Sequence, residues 1–180
     1  ICDIHVSMGS EPEVIRRLGR AYGAMNSLDK GVWRSRYLCK RTKLRVFKAL
    51  VLPVLLYGCE TWTLTKSLRS RLNAFGTRAL RRILEYRWND FVSNQRLLEE
   101  TLMRWITCII RERQLRLFGH VARFPESNPA YRILFEDHPE GWRRPRGRPK
   151  SSWLQQMDQH LRRMGLNQLS ARTVAKIGRA

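Results

Sequence analysis

Acidic residues are scarce in this sequence of 180 residues. Asp and Glu number 15 and Lys and Arg number 35, which gives a formal net charge of +20 at pH 7. Most of the cations are Arg, whose planar guanidinium donates several hydrogen bonds at once to phosphate oxygens. A polyanion relieves such a surplus of charge, because each neutralised phosphate releases counterions. The composition therefore predicts nucleic acid as the partner, ahead of an anionic membrane or an acidic protein.

Closely spaced cysteines and long apolar runs are missing as well. The four Cys at positions 2, 39, 59 and 108 form no C-x-x-C pair, and the four His do not complete a zinc site. The longest apolar run covers residues 49–57, far less than a membrane span needs. We expect no bound metal, no disulfide framework and no membrane partner. With no targeting signal visible, the sequence predicts an intracellular protein, nuclear or cytoplasmic.

Helical spacing of apolar residues runs through most of the chain, and 43% of its residues are hydrophobic. The pattern predicts an all-α protein: a small helical bundle over residues 11–123, a Pro/Arg/Gly-rich linker over 124–150 and a short helical segment over 151–180, after a poorly defined start over 1–10. Pro53 is expected to kink the second helix. Ile15, Tyr22 and Leu50 are predicted to face inward, and Lys43 outward. The predicted N-caps are Ser10, Thr65, Ser93 and either Ser151 or Ser152.

Two predicted helices carry faces rich in Arg. On the helix that begins near Thr65, the face consists of Arg69, Arg71, Arg78, Arg81 and Arg82. No acid follows until Glu85, although solvated faces normally mix both signs of charge. The later face consists of Arg111, Arg113 and Arg116, followed by His120, which is expected to be a structural or phosphate-contacting residue rather than a catalytic one. Both faces are predicted to contact a nucleic-acid backbone.

The predicted linker ends in a strongly basic stretch. Its cations are Arg143, Arg144, Arg146, Arg148 and Lys150. Within it, RGRP at 146–149 matches the core of the AT-hook, in which an extended Arg-Gly-Arg lies in a narrow A·T-rich minor groove. Three interpretations stay open: a linker that binds the phosphate backbone, a minor-groove reader and a solvated spacer.

The six Trp divide into two groups. Those on apolar faces, predicted to lie in the core, are Trp62, Trp105 and Trp153. Those in basic, loop-like surroundings are Trp33, Trp88 and Trp142. For the second group, stacking on bases is an alternative to packing, and packing is favoured for each.

No catalytic centre is predicted. Metal-assisted phosphoryl chemistry requires carboxylates brought together, and the acids of this sequence are isolated or adjacent. The sequence contains no Gly-rich phosphate loop after a strand, no nucleophile elbow and no H-E-x-x-H. We therefore expect that this chain alone is not an enzyme, and that it takes no cofactor and no small-molecule substrate.

Three segments together resemble a known family. They are KLRVF at 43–47 leading to LPVLLYGCETW at 52–62, RQLRLFGHVAR at 113–123, and RPRGRP at 144–149 followed by SWL at 152–154. In order and spacing they are similar to the part downstream of the polymerase core in non-LTR (LINE-type) retrotransposon endonuclease/reverse transcriptases. The similarity covers residues 11–165.

This resemblance implies a parent that is an RNA-directed DNA polymerase with an endonuclease domain. Residues 11–123 would correspond to its helical thumb, which grips the primer–template duplex, and the remainder to a basic nucleic-acid-binding extension. The parent's Mg²⁺ site lies in a palm domain upstream of this chain, so the implied partners are the missing palm and a DNA, RNA or RNA–DNA hybrid duplex. Because residue 1 is Ile and relatives continue past a last helix of this kind, we expect a piece of a longer protein whose end at Ala180 is truncated.

Three other interpretations compete with this one. A free-standing DNA-binding or architectural protein with an AT-hook-like core would prefer A·T-rich duplex, whereas a thumb would be indifferent to sequence. A basic amphipathic protein of the membrane surface is disfavoured, because the cations cover several helices. A non-functional retroelement remnant would have lost the palm on which its apolar surface packed.

Overall fold

The computed structural model describes residues 10–135 and 152–177, and the regular structure within these ranges is entirely helical. The predicted all-α fold class is therefore confirmed. The α-helices are α1 (Glu11–Ser27), α2 (Lys40–Val46), α3 (Leu52–Leu56), α4 (Lys66–Leu84), α5 (Asn94–Thr101), α6 (Ile106–Ala122), α7 (Pro129–Phe135), α8 (Trp153–Arg162) and α9 (Gln168–Ile177). The shorter elements are two π-helical turns, Asp29–Trp33 and Phe47–Val51, and two 3-10 turns, Cys59–Thr61 and Trp88–Asp90. None of the described helices is both long enough and apolar enough to cross a membrane.

The chain divides into two compact units, one ending at residue 110 and the other beginning at residue 111. This boundary falls inside α6, earlier than the predicted boundary at residue 123. The boundary coincides with the polar stretch RERQ at 111–114, which interrupts the apolar spacing of α6.

The core of the first unit is formed by buried apolar residues that lie along one side of each long helix. On α1 the stripe recurs every three or four residues, as the helical period requires, and consists of Val14, Leu18, Ala21 and Met25. Ile15 was predicted to face inward, but it lies at the edge of this stripe and is 45% exposed. Tyr22 was also predicted to face inward and is 39% exposed, although its ring meets Phe75 of α4 edge-on with 4.8 Å between centroids.

The π-helical turn Phe47–Val51 comes directly before the predicted kink at Pro53. Proline has no N–H to donate and its ring collides with the carbonyl four residues earlier, so the preceding turn widens while the chain remains helical to Leu56. The wider turn also shifts the side chains out of α-helical register. This shift accounts for Leu50, which was predicted to face inward and is 53% exposed.

The predicted N-caps form at three of the four positions. The hydroxyl of Thr65 accepts from the Leu68 N–H at 3.3 Å, and that of Ser93 accepts from the Arg96 N–H at 3.2 Å. Ser152 caps α8 in the same way. Ser10 does not cap α1 with its side chain. Instead its Oγ accepts from the Thr63 N–H at 2.7 Å, which joins the start of α1 to the segment before α4.

The second unit contains a helix where the sequence predicted the beginning of a linker. Pro129 opens α7, and a proline in the first turn of a helix loses no hydrogen bond. The Asn128 side chain accepts from the Ala130 N–H at 2.9 Å, which fixes this start. The buried apolar residues described in this unit are Phe118, Val121, Ala122, Tyr131, Met157, Leu161 and Ala171. Residues 129–135, which the sequence placed in the linker, are therefore helical, and residues 136–150 lie outside the described ranges.

Candidate nucleic-acid interface

The five α4 arginines that were predicted to form one face lie on different sides of the helix. At about 100° per residue, Arg69 lies opposite Arg71 and Arg78. Arg69 is half-buried, and the other two are exposed. Arg71 and Arg78 occupy one stripe, separated by about 10 Å along the axis. Neither side chain forms an ion pair or hydrogen bond with the rest of the described residues, so both guanidiniums face solvent.

Arg81 binds within the protein. Its guanidinium donates to the carbonyl oxygen of Val92 from both terminal nitrogens, at 3.0 and 2.9 Å, and to Oδ1 of Asn94 at 2.8 Å. These bonds tie the last turn of α4 to the start of α5. The predicted contact of Arg81 with nucleic acid would have to replace or share them.

Arg82 is bound in a similar way, to the end of α1. Its Nε donates to Oδ1 of Asp29 at 3.0 Å, and Nη1 donates to Oδ1 of Asn26 at 2.9 Å. Asp29 also pairs with Arg34 at 2.8 Å. Helix α4 contains no acid of its own, and the acidic partner of Arg82 is therefore Asp29, which lies 53 residues earlier in the sequence.

On α6, three of the four predicted residues share a stripe. Arg113, Arg116 and His120 follow one another at spacings of three and four, whereas Arg111 lies on the other side of the helix. Arg116 is exposed and pairs with Glu112 one turn earlier, at 2.6 Å. His120 is exposed, and its ring meets Phe124 edge-on with 4.7 Å between centroids. Arg111 and Arg113 are half-buried and engaged in further contacts.

The remaining predicted site residues lie in the basic stretch at the end of the predicted linker. They are Arg143, Arg144, Arg146, Arg148 and Lys150, and all five are outside the described ranges. The three interpretations of this stretch therefore stay open.

A cationic surface in the first unit was missed by the sequence analysis as a candidate site. Residues 34–48 contain seven Lys and Arg and no Asp or Glu. Four of these cations are exposed, and their side chains form no ion pair or hydrogen bond with the other described residues: Arg36, Arg41, Arg45 and Lys48. Arg41 and Arg45 are one turn apart on α2, and Lys48 follows in the π-helical turn. The signal that would have identified this surface is the run of one charge sign along residues 34–48.

Lys43 lies within the same segment but faces the opposite way. It was predicted to face solvent, yet it is only 3% exposed. Its Nζ donates to the carbonyl oxygen of Trp33 at 2.7 Å and to Oε1 of Glu85 at 2.8 Å. The hydrogen bond and the positive charge of Lys43 hold the pKa of the Glu85 carboxyl below its usual value of 4.5, and the charges of Lys40 and Arg36 lower it further. Lys43 therefore joins α2 to the π-helical turn that follows α1 and to the end of α4.

The Trp residues follow the packing interpretation wherever their side chains are described. Trp33 and Trp62 are buried, and Trp105 packs partly buried against the same core. Trp153 packs against the core of the second unit. The indole of Trp33 donates to the carbonyl oxygen of Met25 at 2.7 Å. Stacking of Trp33 on bases is therefore excluded in this conformation, and Trp142 and the Trp88 side chain lie outside what is described.

Within residues 10–135 and 152–177, no group of three or more His, Cys, Asp or Glu side chains is placed to hold a metal ion. The described cysteines are Cys39, Cys59 and Cys108, and none of the three forms a disulfide.

Comparison with known proteins finds a transposon-derived relative. The chain is 28% identical over 148 residues to an uncharacterized transposon-derived protein of Caenorhabditis elegans. The alignment covers 79% of this chain and 51% of that protein, so the chain spans about half the length of the relative that it matches. No family model and no solved structure matches the chain.

Proposed function

We propose that this chain is the nucleic-acid-binding part of a non-LTR retrotransposon reverse transcriptase. In this proposal it grips the primer–template duplex through the phosphate backbone and contains no polymerase active site. The palm domain and its Mg²⁺ would be supplied by other parts of the parent protein, and the chain itself would take no cofactor.

The observation that carries the proposal is the division of the cations into two classes. Arg81, Arg82 and Lys43 bind carbonyl and carboxylate oxygens within the fold. Arg71 and Arg78 have no such partners among the described residues and face solvent. Cations that are held on a packed scaffold and left without acids are suited to a row of phosphates, because no internal ion pair has to break first.

The arrangement favours backbone contact over base reading. The solvent-facing cations lie on helix surfaces at intervals of one or two turns, which matches a repeating row of phosphates better than the edge of a single base. A polymerase thumb has to bind any template, so contacts that carry no sequence information suit it. The similarity to a transposon-derived protein supports the same origin.

The proposal is tested by titrating the purified chain with short labelled RNA–DNA hybrid, mixed-sequence DNA duplex and A·T-rich duplex over a series of salt concentrations. We expect log K to fall linearly with log salt, and similar affinity for the two DNA sequences. The double variant Arg71→Gln and Arg78→Gln should weaken binding to all three ligands. Its salt slope should be smaller by about 1 for each phosphate that the variant no longer neutralises.

A matched control removes the same net charge from arginines that already have acidic partners. Arg16 pairs with Glu13, and Arg162 pairs with Asp158. The double variant Arg16→Gln and Arg162→Gln should leave the slope close to that of the wild type. Failure of the wild type to bind any of the three ligands at low salt contradicts the proposal, and so does an equal loss in the two double variants.

A further inference from the structure

We infer that Tyr37 is a stacking site for an unpaired nucleotide base, next to the cations of residues 34–48. The inference rests on the proposed function, because it requires a nucleic acid held by those cations. The proposed function involves contacts with the phosphate backbone only. The inference adds a contact with a base, that of a single-stranded nucleotide at the end of a duplex.

Tyr37 differs from every other tyrosine of the chain. It is 99% exposed, and its side chain forms no hydrogen bond or ring contact with any described residue. The other four all have partners: Tyr22 meets Phe75, Tyr57 lies under the guanidinium of Arg17, Tyr86 donates to Glu100, and Tyr131 packs against Phe135. An aromatic ring left entirely in water has both faces free for a flat ligand.

The segment that carries Tyr37 is anchored on both sides. Before it, the buried Trp33 is fixed to Met25, and Arg34 binds Asp29 through both its side chain and its backbone N–H. After it, Lys43 is fixed to the Trp33 carbonyl oxygen. Eight residues, 35–42, separate Arg34 from Lys43, and those from Lys40 onward belong to α2, so presenting Tyr37 to a ligand requires little ordering of the backbone.

The charge around Tyr37 suits a nucleotide. Arg36 precedes it directly, and Arg41 and Arg45 follow on α2, all three exposed. Sites for single-stranded nucleic acid combine such cations, which bind the phosphates, with an aromatic side chain that stacks on the base. Within a duplex the faces of the bases are covered by their neighbours, so we expect the ring to stack on an unpaired base. Because every base has a π-face, the site would have no sequence preference.

The test compares a blunt duplex with the same duplex carrying a single-stranded overhang that contains a fluorescent base analogue. For the wild type we expect tighter binding of the overhang substrate and quenching of the analogue on binding. Tyr37→Leu should lose about 5- to 100-fold of affinity for the overhang substrate, together with the quenching, and bind blunt duplex as the wild type does. Tyr37→Phe keeps the ring and should behave as the wild type.

Phe91 offers a matched control. It is 88% exposed like Tyr37, but it follows the acid Asp90 rather than a cation. Phe91→Leu should therefore leave both affinities unchanged. The inference is overturned, with the proposed function intact, when the wild type binds blunt duplex but Tyr37→Leu keeps the overhang advantage, or when Phe91→Leu loses as much. Failure of the wild type to bind either substrate overturns both.

Discussion

Lys43 donates a hydrogen bond from its buried ammonium to the backbone carbonyl oxygen of Trp33, at 2.7 Å. Residues 34–48 contain seven cations, and Lys43 is buried rather than exposed to solvent. It connects α2 with the π-helical turn after α1 and with the end of α4. The carbonyl oxygen lies at the end of a π-helical turn, where the chain leaves the helix and a regular intrahelical partner is lacking.

Replacement of this lysine by an apolar side chain should destabilise the fold. Lys43→Met keeps most of the volume of the stem but leaves the Trp33 carbonyl oxygen without its donor. We expect the free energy of unfolding to fall by about 1–3 kcal/mol, as measured by urea denaturation. The control is Lys48→Met, at an exposed position, with an expected change within about 0.5 kcal/mol. Equal effects of the two substitutions would contradict the role assigned to Lys43.

The ion pair of Lys43 with Glu85 should make stability depend on pH in the acidic range. The folded-state pKa of Glu85 is lowered from 4.5, so the unfolded chain takes up the proton first as the pH falls. The pair therefore stabilises the fold above pH 4.5, and this contribution is lost as the pH drops through the lowered value. Glu85→Gln should be less stable than the wild type at neutral pH and equal to it in strong acid. Urea denaturation across this range checks the prediction, and a gap that does not change with pH would contradict it.

Substitutions of Arg81 and Arg78 should affect different properties, the first the stability of the fold and the second the binding of duplex. Arg81→Met removes three hydrogen bonds to the start of α5, and we expect a loss of about 1–3 kcal/mol in the free energy of unfolding. Arg78→Met lies three residues away on the exposed side and should change that free energy by less than about 0.5 kcal/mol, while weakening duplex binding. Parallel denaturation and salt titrations of the two variants measure both effects. A destabilised Arg78→Met that binds normally would contradict the assignment.

The basic stretch before α8 should contribute to the salt dependence of binding. Reversal of Arg143, Arg144, Arg146 and Arg148 to Glu should weaken duplex binding and flatten the salt slope. An unchanged slope would exclude backbone contact by this stretch. Titration with A·T-rich and G·C-rich duplex distinguishes the remaining interpretations, because only a minor-groove reader would show an A·T preference that the variant loses.

Local features of the fold could be read from the sequence. The apolar spacing identified α1, α4 and α6, and the hydroxyls of Thr65 and Ser93 marked helix starts, because a cap depends only on residues three positions away. The same local reading failed for α7. Pro129 favoured a linker in the sequence pattern, although a proline at the first position is compatible with a helix.

Features that depend on distant partners could not be read in this way. Lys43 was assigned to the surface because charged side chains are rarely buried, and its partners Trp33 and Glu85 are remote in sequence. For the same reason Arg81 and Arg82 looked like free cations. By contrast, the helical period alone predicts that Arg69 lies on the opposite side of α4 from Arg71 and Arg78.

The double pairing of Asp29 has a consequence for how such a chain changes by mutation. This one carboxylate pairs with two guanidiniums, those of Arg34 and Arg82. The protein has 15 acidic residues against 35 Lys and Arg. Conversion of Asp29 to a neutral residue would remove the acidic partner of both at once and leave Arg82 held by Asn26 alone, which raises the uncompensated positive charge while weakening the junction of α1 and α4. Loss of an acid therefore lowers the stability of the fold and raises its affinity for a polyanion. The few carboxylates determine which arginines a polyanion can reach.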